Sequence, residues 1–138
     1  MSLATLNMSG KRPYPPRTSS FTRTFWESLG QGRFLSTRCG RCMRFTFPPK
    51  PFCPHCWNAE VAWMPLSPRG KVYSSTVIHA APQIFGREAP YRVAIVDLVD
   101  GVRIATRLVG VEDFAIDQAV DIVVLDYEDG PLFAARPV

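Results

Sequence analysis

The chain has 138 residues, 46% hydrophobic and 20% charged, a globular composition with room for one domain or for a domain plus a small module. Thirteen prolines against nine glycines favour strands and loops over long helices. No apolar run approaches the roughly eighteen residues of a membrane span, and no charged segment followed by an apolar one opens the chain, so membrane and secretory classes are set aside and a cytoplasmic protein is expected. The net charge of +4 divides unevenly, as +7 over residues 1–60 and −3 over residues 61–138. Ten of the sixteen aromatic residues lie before position 64, and all four cysteines lie between positions 39 and 56.

Residues 1–17 end in Arg12-Pro13-Tyr14-Pro15-Pro16-Arg17. Prolines without N–H groups favour an extended arm lying on the body of the protein or on a partner. Met1-Ser2-Leu3 is left out of the functional argument. Residues 18–32 read as one short amphipathic helix, because Phe21, Phe25 and Leu29 recur every four residues with Trp26 beside them. Ser20 is placed as its N-terminal cap and Gly30 or Gly32 as its left-handed end.

Residues 33–66 hold the strongest chemical signal: Cys39-Gly40-Arg41-Cys42, ten residues, then Cys53-Pro54-His55-Cys56. Two Cys-x-x-Cys knuckles can curl four thiolates onto one ion, and Cys39, Cys42, Cys53 and Cys56 are assigned as metal ligands. Zinc suits four sulfurs without a redox demand, and iron can share the same ligands. The same cysteines could instead form two disulfides or a redox Cys-x-x-Cys; a reducing compartment disfavours the disulfides, and redox chemistry would leave the second knuckle superfluous. Four thiolates close the coordination sphere, so the site is structural. His55, between two ligands, is expected to face solvent.

Residues 67–138 turn strongly β. Runs at Lys71–Ala80, 91–99, 102–109, 120–127 and 132–135 supply five strands, with an interruption near Glu112–Ile116, and fit a small closed barrel. Asp100-Gly101 between two β-branched runs predicts a tight hairpin with positive φ at both residues. His79 reads as a hydrogen-bonded wall residue of the first strand. Asp97, Asp100, Asp121 and Asp126 solvate the outer face, and no set of residues assembles a catalytic centre. Arg38, Arg41 and Arg44 bracket the first knuckle and form either an anion-binding face or a solubilising one. Phe25, Trp26 and Phe34 read first as core; wedged between ribbon and barrel, they would leave an apolar crevice for an acyl chain.

The ordered set Phe25-Trp26, Cys39 and Cys42, Phe47-Pro48-Pro49, Cys53-Pro54-His55-Cys56, Trp63, Gly70-Lys71-Val72-Tyr73-Ser74 and Pro90-Tyr91 resembles the acyl-CoA-associated OB-fold family with an N-terminal rubredoxin-like zinc ribbon. The resemblance spans residues 21 to about 110. It implies a mainly β fold of helix, structural zinc ribbon and five-stranded OB-fold barrel. It also implies a partner: a thiolase, a lipid-transfer-type aldolase or a hotdog-fold enoyl-CoA hydratase of lipid, steroid or polyketide-like metabolism. Acyl-CoA is the implied ligand, with Phe25, Trp26, Phe34, Arg38, Arg41 and Arg44 as candidate contacts. The chain departs from the family at Pro68, at Ile116-Asp117 and at Met43, which stands where a glycine frequently follows the first knuckle. A different function, that of a single-stranded nucleic-acid-binding module, needs bases and aromatics on the barrel face, and residues 61–138 are net acidic.

Overall fold

The computed structural model describes residues 2–86, 88–110 and 114–138. A short strand, β1 (Thr5–Asn7), precedes a helix, α1 (Arg23–Gly30). A three-stranded ribbon follows: β2 (Leu35–Cys39), flanked by β3 (Phe45–Thr46) and β4 (Val61–Pro65), both antiparallel to it. The remaining strands are β5 (Arg69–Ile78), β6 (Tyr91–Leu98), β7 (Arg103–Leu108), β8 (Ala119–Tyr127) and β9 (Gly130–Pro137). A 3₁₀ turn, Gln83–Phe85, lies in the β5–β6 connection.

The last five strands close on themselves. β5 pairs with β6, β6 with β7, β7 with β9, β9 with β8, and β8 with β5. All are antiparallel except β7–β9, which meet in parallel at Leu108 and Ala135. This is the closed five-stranded barrel that the resemblance implies. Period-two patterning sets which side chains fill it: along β7, Ile104, Thr106 and Leu108 are buried while Arg103 and Ala105 face water. Closure depends on Gly70, which pairs with Leu98 on one side and Val120 on the other. A Cβ there would sit 2.6 Å from the carbonyl oxygen of Asp97, so only glycine permits this approach.

Strand β8 is buried on both faces. Val120, Ile122 and Val124 enter the main core, whereas Val123, Leu125 and Tyr127 form a second cluster with Ala134. The arm covers that second cluster. β1 pairs in parallel with β8, matching Thr5 to Val124 and Asn7 to Asp126, and Leu6 and Met8 pack over the cluster. Further on, the Arg12 backbone N–H donates to Asp129 Oδ1 at 2.8 Å, and its guanidinium donates to the carbonyl of Asp129 at 2.9 Å. Gly130, at φ +144°, leaves room for that guanidinium. Leu3, set aside on sequence, is a core residue: it is 7% exposed, and its N–H donates to the carbonyl of Gly32 at 2.7 Å.

Helix α1 plugs the end of the barrel. Phe25 and Leu29 share one continuous core with Phe34 and Leu66 of the ribbon segment and with the barrel interior. The helix ends as expected at Gly32, whose φ of +79° lets the N–H of Arg33 reach back to the carbonyl of Ser28. Its start differs. Ser19 and Thr22, not Ser20, exchange hydrogen bonds, because the turn before the helix opens at Ser19, whose carbonyl also accepts the N–H of Arg23.

Three other expectations shift. In the β6–β7 hairpin only Gly101 has positive φ, at +89°. The connection is three residues long, with the Leu98 N–H donating to the carbonyl of Val102, a turn type that needs the left-handed conformation at its last residue alone. The Asp100 carboxylate instead accepts the Ser67 N–H at 2.7 Å. His79 lies one residue past β5 and is exposed, so it is no wall residue. Asp117, one of the positions at which the chain departs from the family, lies in the left-handed region at φ +65°. Of the interruption placed at Glu112–Ile116, Glu112 and Asp113 lie outside the described residues.

Candidate metal centre

The ribbon builds its centre from two knuckles of the same design. In the first, the carbonyl of Cys39 accepts the Met43 N–H at 3.1 Å and the Cys39 N–H donates to Arg44 at 3.0 Å. In the second, the carbonyl of Cys53 accepts the Trp57 N–H and the Cys53 N–H donates to Asn58, both at 2.8 Å. Each knuckle is followed by a residue in the left-handed region, Met43 at φ +65° and Trp57 at φ +64°. That geometry explains why glycine suits the position after the first knuckle.

The turns aim all four sulfurs at one point. The Sγ atoms of Cys39, Cys42, Cys53 and Cys56 lie within 4.8 Å of one another, with Cys39–Cys56 and Cys42–Cys53 at 3.5 Å, and none is disulfide-bonded. Sulfurs about 2.3 Å from a tetrahedral zinc lie about 3.8 Å apart, so the cage fits that ion. Electrostatics point the same way. The N–H of Cys42, aided by the Arg41 N–H and the Asn58 amide, brings the Cys39 thiol down to about 6. The Arg44 N–H also favours the Cys42 thiolate, yet burial and the three neighbouring sulfurs push that thiol up to about 11. Four thiolates this close repel one another until a cation sits among them.

His55 is exposed and stands outside the sulfur cluster. Phe25 and Phe34, offered on sequence as ligand contacts, are each 3% exposed and pack with Phe47 and Phe133 at centroid separations of 5.7 to 6.2 Å. Trp26 is half-buried, edge-on to Phe25 at 4.9 Å. Phe133 thus fills the space in which an open aromatic crevice was expected. Arg38 lies over Phe45 and donates from Nε to the carbonyl of Met43 at 3.0 Å, whereas Arg41 and Arg44 are exposed at the first knuckle. Of the six, Phe34 lines a cleft of about 220 Å³ at the ribbon–barrel junction, with Arg33, Leu35, Pro65, Leu66 and Pro68. Sequence reasoning missed this cleft, since its walls come from opposite ends of the ribbon.

Asp97 and Glu88 are held in ion pairs. Arg103 holds Asp97 at 2.6 Å, which lowers the Asp97 pKa, and lays its guanidinium 3.8 Å from the centre of the Tyr73 ring. Arg107 pairs with Glu88 at 2.6 Å, and Glu88 accepts the Tyr127 hydroxyl at 3.4 Å. No helix of the described residues is long and apolar enough to cross a membrane.

Residues 26–62 match the ChsH2 rubredoxin-like zinc ribbon domain, and residues 63–125 match the ChsH2 C-terminal OB-fold domain. A "Probable enoyl-CoA hydratase alpha subunit" of Thermomonospora curvata is 37% identical over 83% of this chain and 35% of its own length. The benzoylsuccinyl-CoA thiolase subunit BbsA of Thauera aromatica is 35% identical over 72% of this chain and 71% of its own. Among solved structures, a chain of the Ltp2-ChsH2(DUF35) aldolase superposes with a TM-score of 0.78 at 32% identity, covering 89% of this chain and 98% of that one. The chain therefore spans about a third of the hydratase subunit but most of the thiolase subunit.

Proposed function

Because the chain belongs to the ChsH2 family, in which a rubredoxin-like zinc ribbon precedes an OB-fold, we propose that it is a non-catalytic accessory subunit of a CoA-thioester enzyme: a thiolase, an aldolase or an enoyl-CoA hydratase. The observation that carries this reading is the convergence of the Cys39, Cys42, Cys53 and Cys56 sulfurs to within 4.8 Å of one another. These four residues hold a structural zinc. With four sulfur ligands the ion offers no site for a reactive water, so it shapes a surface and performs no chemistry. The named relatives add support, since each is a subunit or part of an enzyme acting on a CoA thioester or an aldolase assembly.

Acyl-CoA meets the complex beside this chain. The cluster of Phe25, Phe47 and Phe133 offers it no entry, so the cleft at the ribbon–barrel junction, lined by Leu35, Pro65, Leu66 and Pro68, is the apolar contact, with Arg33 at its edge for a phosphate. Isothermal titration with several acyl-CoAs, on the chain alone and on the chain co-purified with a thiolase, an aldolase or a hydratase subunit, tests both statements. Binding that appears or tightens with the partner supports them. No complex with any of the three enzymes, and no acyl-CoA binding in either setting, overturns them.

A further inference from the structure

We propose that the tip of the ribbon is the docking point for the catalytic subunit, with Trp57 as its anchor. This inference rests on the accessory-subunit reading and specifies which surface makes the contact. Trp57 is 76% exposed, the most exposed aromatic ring among the described residues. It is not loose: its ring stacks on Phe52 at 5.8 Å with 8° between planes, and its N–H is tied to Cys53. A large ring held rigid in water is prepared to fill a pocket on another protein with little ordering left to do.

The backbone gives an independent reason. A bulky residue at φ +64° is an outlier, and a glycine would adopt that conformation without strain. The first knuckle repeats the pattern: Met43, at φ +65°, is 53% exposed. At both knuckles a strained position carries a large apolar side chain into solvent, where it adds nothing to the core. The knuckle turn would accept a glycine at either position, so a large apolar side chain held there in solvent marks a surface kept for contact.

Charge selects the kind of partner. Arg41 and Arg44 are exposed at the same end of the ribbon and have no ion pair among the described residues, whereas Arg12, Arg103 and Arg107 each face a carboxylate. The matching surface is therefore an apolar socket for the Trp57–Phe52 pair with an acidic rim for Arg41 and Arg44. A single-stranded nucleic acid could also stack on Trp57. It is the weaker fit, because residues 61–138 are net acidic and Arg103 and Arg107 are already neutralised by Asp97 and Glu88.

The decisive variant is Trp57→Gly, which relieves the backbone while removing the anchor. The full chain and its variants are co-expressed with a thiolase, a lipid-transfer-type aldolase and a hotdog-fold hydratase subunit, and affinities for the purified enzymes are measured by titration. Wild type binds one of them; Trp57→Gly keeps its zinc content and an equal or higher Tm, yet binds about 100-fold more weakly. Phe52→Ser and Arg41→Glu weaken binding about tenfold, the latter with a shallower salt dependence, and Met64→Ser on β4 leaves it unchanged. Wild-type affinity in Trp57→Gly overturns the docking assignment while the accessory reading stands. A wild type that binds none of the three enzymes overturns the accessory reading, and the docking assignment with it. Binding of a labelled single-stranded oligonucleotide that Trp57→Gly abolishes gives the tip to nucleic acid instead.

Discussion

The ribbon and the barrel bury different chemistry. Inside the barrel, Val72, Val96, Ile104, Val120 and Ile122 are apolar and closed in by a complete ring of paired strands. Within the strands and knuckles of the ribbon the buried residues are Ser36, Thr37, Thr46, Cys39 and Cys53. The Ser36 hydroxyl donates to the carbonyl of Thr46, and the Thr37 hydroxyl accepts the Lys50 N–H at 3.1 Å, so these polar groups are satisfied without supplying much hydrophobic stabilisation. The apolar residues in and beside the ribbon, Phe34, Phe45, Phe47 and Leu66, face the shared core instead. The barrel is held by its own interior, and the ribbon by its sulfurs at one end and the barrel at the other.

Breaking the sulfur end has the largest expected effect. Cys42→Ser removes one ligand; zinc content measured by atomic emission falls to a small fraction of an equivalent, and stability drops by several kcal/mol, since binding of a structural zinc is of order 10 kcal/mol. Far-UV circular dichroism then retains the barrel signal. An unaltered metal content would show that the cage is not the zinc site. Breaking the other end comes next. Phe25→Ala opens a void where helix, ribbon and barrel meet, at a cost of about 3–5 kcal/mol by chemical denaturation, with zinc still bound.

The smallest effect tests the arm, which belongs to the barrel's side of the contrast. Arg12 holds the Asp129 carboxyl below the ordinary aspartate range, first through its backbone N–H. A lowered pKa in the folded state means that the clamp stabilises fully above the unfolded value of about 4 and fades as pH falls through the lower folded value. Asp129→Asn should therefore cost a Tm of about 3 °C at pH 7 and progressively less as the pH falls below about 4, measured by scanning calorimetry. No loss at pH 7 would assign the clamp to the bond between the Arg12 guanidinium and the Asp129 carbonyl, which the substitution leaves in place.

Much of the fold is legible in the residues themselves. The Cys-x-x-Cys pair announces its cage because the ligand spacing is set by local turns, and the β-branched runs announce their strands. The unbroken apolar run Ile122-Val123-Val124-Leu125 implies that β8 is covered on both faces, although not that Leu6 and Met8, from the far end of the sequence, provide the cover. Phe25 and Phe34 are ambiguous for a physical reason: an aromatic stripe has the same spacing whether a ligand or another ring fills the space beside it. The answer lies with Phe133 on the last strand, which no local pattern connects to the helix. Trp57 stands next to a ligand in the sequence, but its exposure follows from a left-handed turn that spacing alone does not reveal.

The pairing of Thr5 with Val124 also fixes an order of events. During synthesis the arm is made before the ribbon, yet its docking strand is made after it, so the arm must wait for β8 to follow. The cysteines span only residues 39–56 and can capture their ion long before β8 exists. The ribbon is thus free to mature early, and the arm, arriving last, closes over the barrel only when β8 and its turn are complete.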